Sequence, residues 1–283
     1  MRMSVLLGVA AIAAVAGCTQ ARSENGGPTV ERSYAVDDFD RIDLAGNYDV
    51  TVHTGAKPGV QARGSEKVME RLVVEVRDGV LVIEPRKTQG FNWKWTNHGK
   101  VTLNVTVPSL RGAQLGGAGD VRIDEVKGDR FDGAIAGSGD LSVERIEVGT
   151  HELSQAWLNG AGTLAIDRIR GLTFDLALQG SGSAAIGDAD VDQLKIGISG
   201  SGSVTIAGKA PRLTAIVRGT SNLDAAGLAV KDAQIGAEGP SQVRLAATAT
   251  AKIDARGTTS VAVSGNPSCT VKAEGSAVVT GCE

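Results

Sequence analysis

From Tyr34 onward, apolar and polar residues alternate in short runs. The pattern is clearest from Leu194 to Ala207, where Leu194, Ile196 and Ile198 lead into Gly200-Ser201-Gly202-Ser203, and Val204 and Ile206 follow. A period of two is the signature of a strand with one buried face. The small-residue pivot recurs at Gly117-Ala118-Gly119-Asp120, Gly137-Ser138-Gly139-Asp140, Gly160-Ala161-Gly162-Thr163 and Gly180-Ser181-Gly182-Ser183. It returns, altered, at Gly219-Thr220-Ser221, Gly239-Pro240-Ser241, Gly257-Thr258-Thr259 and Gly275-Ser276-Ala277. Intervals between leading glycines are 20, 23, 20, 20, 19, 20, 18 and 18 residues. Such a period marks an internal repeat whose single copy buries too little to stand alone.

A coil of two or three short strands uses about 20 residues and lies roughly 4.8 Å from the next. Glycine at the corners permits positive φ and close backbone approach. The spacing therefore predicts an all-β chain, a right-handed parallel β-helix by the crossover rule.

Ahead of the regular pivots, Phe39, Ile42, Leu44, Tyr48, Val50 and Val52 predict strands. Leu72–Ile83 predicts a hairpin turning at Asp78-Gly79, a pair suited to a two-residue turn with positive φ. Lys100–Val107 alternates again, and Ser65–Leu72 holds at most a turn or two of helix. The division expected is a leader over 1–17, a tether over 18–33, and one β-helical domain over 34–283. Within that domain, 34–108 is read as irregular strands and a hairpin, and 109–283 as regular rungs.

The leader follows from Arg2, an apolar run from Val5 to Ala16, and Val15-Ala16-Gly17-Cys18, which resembles a bacterial lipobox. It predicts lipidation of Cys18, membrane attachment through that anchor and residence in the cell envelope. Thr19 after the cysteine leans toward the outer membrane. Residues 19–33 are polar and include Gly26, Gly27 and Pro28, a composition suited to a flexible tether.

Composition narrows the chemistry. The chain has 283 residues, 42% apolar but only 3% aromatic, with 38 glycines and a net charge of −3. A thin coil filled by Val, Ile, Leu and Ala fits this better than a globular core built on aromatics. Nothing basic marks a nucleic-acid partner. With Cys18 taken by lipid, Cys269 and Cys282 form a candidate disulfide capping the last coil in an oxidising compartment.

Asp120 and Asp140 occupy matching pivot places and could hold a cation through oxygen ligands. The positions that follow are Thr163, Ser183 and Ser203, so the pair reads better as turn residues. The glycine runs fail as calcium nonapeptides, whose period is nine, and as nucleotide fingerprints, which need a following helix. His53, His98 and His151 have no ligand companions at metal spacing. No cofactor or catalytic residue is predicted. Phe91, Trp93 and Trp95 form the candidate binding patch for an envelope glycan or protein, against the alternative that they cover an edge of the coil.

Two functional classes remain: a non-catalytic binding or structural module of the envelope, which these patterns favour, and a carbohydrate-active β-helix enzyme. The leader, Phe39-Asp40-Arg41-Ile42, Gly46-Asn47-Tyr48-Asp49-Val50-Thr51-Val52, Asp78-Gly79-Val80-Leu81 and the Gly-Ser-Gly rungs together resemble the head GIN domain family. Those are bacterial proteins described as auto-transporter adhesin heads. The resemblance spans roughly residues 34–265 and implies a right-handed β-helix, an envelope location and an adhesin role, and brings no catalytic residues.

Overall fold

Corners and alternation together produce one continuous stack in the computed structural model, which describes residues 27–86, 100–149 and 153–282. Its strands form a parallel β-solenoid of about 8 turns. One column of parallel strands precedes each pivot. It runs through β6 (Val80–Pro85), β2 (Arg41–Gly46), β8 (Gly112–Gly117), β10 (Asp132–Gly137) and β12 (Leu153–Gly160). The C-terminal part of β13 (Thr163–Gly180) and that of β14 (Ser183–Gly200) continue it into β16 (Arg212–Gly219). The late parts of β17 (Asn222–Glu238) and β18 (Gln242–Gly257), then β20 (Ser268–Gly275), complete it.

A second column follows each pivot. It comprises β7 (Thr102–Val107), β3 (Asp49–Thr54), β9 (Asp120–Gly128) and β11 (Asp140–Val148), then the early parts of β13 and β14 and β15 (Ser203–Lys209). The early parts of β17 and β18, then β19 (Ser260–Ser264) and β21 (Val278–Thr280), close it. Pairing skips one residue midway through this column, at Asp124 between Ile123 and Glu125, where a further corner turns the chain onto a third face.

Pivot glycines stack in register. Gly46 pairs with Gly117, Gly117 with Gly137, and the ladder continues through Gly160, Gly180 and Gly200 to Gly219. Gly200 shows why: its φ is +122°, and a Cβ there would stand 2.4 Å from the Gly180 carbonyl oxygen. The Ser201 N–H donates to that same oxygen at 2.9 Å, so one atom both blocks a side chain and ties two coils. The extra three residues of the 23-residue interval fall between Val148, which still pairs 20 residues back, and Gln155, which pairs 23 back.

Alternation places Leu194, Ile196, Ile198, Val204 and Ile206 inside, each nearly inaccessible. Where two large rings meet one wall, the intervening coil gives way. Ser154 is buried between the coils of Phe131 and Phe174, and its hydroxyl oxygen accepts the Phe131 N–H at 3.0 Å. Pairs along the stack also neutralise charge outside, as between Arg145 and Glu125 at 2.5 Å and Lys209 and Asp190 at 3.1 Å.

The altered pivots form a second kind of corner. The leading glycine relaxes from φ +122° at Gly200 to +88° at Gly219. The third position then admits a buried hydroxyl: Ser221, Ser241 and Thr259. Ser221 Oγ lies 3.1 Å from the Gly200 carbonyl, and Thr259 Oγ1 lies 2.8 Å from that of Gly239, so side chains bind successive coils where glycine did before.

Two expectations change at the N-terminal end. Residues 29–33, expected to be tether, are instead strand: β1 (Thr29–Tyr34) pairs antiparallel with β4 (Gly59–Ser65). It is an exposed edge strand, so its composition is polar; Arg32 anchors it by donating to the Met69 carbonyl at 3.0 Å. Second, 34–108 is not wholly irregular, since β2 and β3 form a rung in register with β8 and β9. β4 pairs antiparallel with β7, and β5 (Leu72–Arg77) pairs antiparallel with β6 across the expected Asp78-Gly79 turn. With the short helix α1 (Glu66–Met69), whose Met69 is buried, these elements cover that end of the stack.

Candidate functional site

Asp120 and Asp140, the matching pivot aspartates, have a local task. Asp140 N–H donates to Asp120 Oδ1 at 3.4 Å, and Thr163 N–H donates to Asp140 Oδ1 at 3.0 Å. Each carboxylate thus receives the backbone of the next coil just after its pivot. Asp49 occupies the same column and pairs in register with Asp120. Among the described residues, no group of three or more His, Cys, Asp or Glu is arranged to hold a metal ion.

His53 stands near a different carboxylate. Asp124 accepts from the Thr54 N–H at 3.0 Å and the Thr54 hydroxyl at 3.1 Å, while His53 Nδ1 is 3.4 Å away. These contacts lash the corner at Asp124 to the preceding coil. Two carboxyl groups elsewhere on the coils show opposite shifts. Burial and then the negative Glu84 raise Asp43, whereas the Lys127 and Arg145 hydrogen bonds lower Glu125. Glu125 belongs to a charge cluster on the coil surface, paired with Lys127 and Arg145.

Cys269 and Cys282 form a disulfide with Cα atoms 5.5 Å apart, linking β20 to the residues after β21. Cys18, the lipidation candidate, and Phe91, Trp93 and Trp95, the candidate binding patch, lie outside the described residues, as do His98 and His151. Among the described residues, no helix is long and apolar enough to cross a membrane.

The chief exposed feature is a residue not singled out above. Along β12, Ala156 and Leu158 point inward, so Trp157 between them projects outward and is 60% exposed. Leu153 and Ile216, each 43% exposed, are in the same strand column. Trp157, Leu158, Asn159, Ala177 and Gln179 line a shallow hollow. The signal was in the alternation: Ala156-Trp157-Leu158 cannot place a tryptophan inside if its neighbours are the buried pair.

This architecture, a solenoid with glycine pivots in register, defines a class of repeat protein. The family model described as "Putative auto-transporter adhesin, head GIN domain" matches residues 38–156 and again 144–267, and the chain belongs to that family. Among solved structures it is similar to a "putative adhesin" of Parabacteroides distasonis, 19% identical, with a TM-score of 0.63. That alignment covers 90% of this chain and 98% of the other. A "putative lipid binding protein" of the same species is 18% identical, TM-score 0.63, covering 90% and 97%. A "putative adhesin" of Parabacteroides merdae is 17% identical, TM-score 0.60, covering 90% and 96%. At these identities the likeness is one of fold. No match is found among curated proteins.

Proposed function

We propose that this protein is a lipid-anchored adhesin-like module of the bacterial envelope, binding a surface partner without catalysing a reaction. The observation that carries the reading is the solenoid itself. About 8 turns at roughly 4.8 Å each give a rod of about 40 Å, whose outward residues form straight ladders suited to display. Membership of an adhesin-named family supports it, as do the similar solved structures described as adhesins. The non-catalytic part is supported by Asp120 and Asp140, whose carboxylates are engaged by backbone N–H groups.

In this reading Cys18 carries the acyl chains, and the segment before β1 sets the rod off from the membrane. Several chains on one cysteine hold firmly, since stable anchoring takes two membrane signals. Replacing Cys18 with Ser is expected to release the protein from membrane fractions and to abolish adherence of cells that display it. Membrane retention with normal processing would refute the anchor. Unchanged adherence of cells lacking the protein would refute the adhesin role.

A further inference from the structure

Trp157 is flanked along its column by small residues: Ala134 on one side, Ala177 and Gly197 on the other. A Cβ built on Gly197 would meet nothing within 4 Å, so the floor there is open. Ile216 ends the trough on the following coil. Three rungs separate it from Trp157, about 14 Å at roughly 4.8 Å each. The result is a shallow channel running along the stack, with an indole standing at one end.

Beside the indole its flanks carry amides. Gln155 and Asn159 lie on either side of Trp157 in the same strand, and Gln179 lies beside Ala177. All three are exposed, and their side-chain amides make no hydrogen bond among the described residues. Nearby charges come in opposite pairs, Asp175 with Lys195 at 3.7 Å and Arg218 with Glu238 at 3.7 Å, and Asp175 Oδ1 is buried with no hydrogen-bond partner. What remains free is an aromatic plane and amides that both donate and accept.

That combination suits a sugar. The C–H face of a pyranose is apolar and covers an indole, while its equatorial hydroxyls need neutral partners of both kinds. An anionic ligand would call for an unmatched cation. A standard protein interface buries about 800 Å² on each partner, far more than one strand column about 14 Å long offers. We propose that this face binds a neutral glycan chain, with one pyranose on Trp157 and the next units lying along the trough toward Ile216. The inference rests on the binding-module reading and adds its ligand class and location.

The test is affinity electrophoresis of the full chain through gels holding β-1,3-glucan, β-1,4-mannan, xylan or dextran. At least one should retard the protein, equally at low and high salt. Trp157→Ala should weaken that affinity by about tenfold or more, as loss of an aromatic anchor does. Trp157→Phe should keep part of it, and Gly197→Leu, filling the floor, should weaken it. Each variant should unfold at the wild-type temperature, since both positions face solvent.

Retardation by none of the four glycans overturns the inference, as does undiminished binding by Trp157→Ala or Gly197→Leu. Binding lost at high salt points to a charged ligand and also overturns it. Adherence assays on the same variants separate the two claims. Adherence that survives Trp157→Ala removes this site and leaves the adhesin role; adherence that never depends on the protein removes both.

Discussion

Replacing Gly200 with Ala probes the corner directly. The added methyl carbon would stand 2.4 Å from the Gly180 carbonyl oxygen and 3.1 Å from that residue's carbon and nitrogen. Those are backbone atoms, so no rotamer change relieves the overlap. The φ of +122° is itself costly for a residue with a side chain, about 1–3 kcal/mol. Moving the two coils apart also weakens the Ser201 N–H to Gly180 bond of 2.9 Å, about 1 kcal/mol more. The expected loss is about 2–4 kcal/mol. At about 2–4 °C per kcal/mol for a chain of this size, the melting temperature should fall by about 5–15 °C.

Gly236→Ala is the matched control. That glycine has no positive φ, and its Cβ would meet nothing within 4 Å. There the same methyl should leave stability unchanged or raise it by about 0.4–1 kcal/mol through the unfolded chain. Calorimetry of both variants is the assay. Hydrogen exchange should add that amides of the coils adjoining Gly200 lose protection first, because solenoid stability is a sum of neighbour terms. Equal melting of Gly200→Ala and wild type, or equal shifts in the two variants, would refute the corner argument.

Three further outcomes are expected. Thr259→Val removes the hydroxyl 2.8 Å from the Gly239 carbonyl and 2.9 Å from that of Arg256. It should cost about 1–3 kcal/mol by chemical denaturation, with Thr259→Ser restoring most of it. Opening the Cys269–Cys282 bridge, a separation of 13 residues, should cost about 3 kcal/mol and raise exchange chiefly in β20 and β21. Glu125 should titrate below the ordinary glutamate value because Lys127 and Arg145 favour its charged form. The stability from this depressed group is present above the unfolded-state pKa and lost as pH falls through the folded one. Carboxyl NMR should show the value rising in Arg145→Ala.

The stack was legible from Gly117 onward because its pivots recur at nearly constant spacing, and spacing is what a repeat exposes in one dimension. Gly46 belongs to the same ladder but escaped that reading. Its partner Gly117 is 71 positions later, and the cap-forming segment lies between them. β1 was hidden for another reason: as an edge strand it buries little, so Thr29, Glu31 and Arg32 look like tether. The candidate site divides likewise. The cysteine pair was readable from number and position. Trp157 needed the inside–outside assignment of β12 first, and the open floor at Gly197 needed the register of three coils, which no spacing rule supplies.

The order of coils at the capped end sets how this molecule can assemble as it is synthesised. β2 and β3 emerge ahead of all their partners, yet they stack between β6 and β7 on one side and β8 and β9 on the other. Residues 41–54 therefore wait, unpaired, until the chain has extended past residue 80 and then past 112. Beyond that point each coil finds its template already laid by the one just before it, about 20 residues back. The slow step belongs to the capped end, where distant segments must close upon each other. From there the rod lengthens toward the C-terminus in small, local additions, each one setting the template for the next.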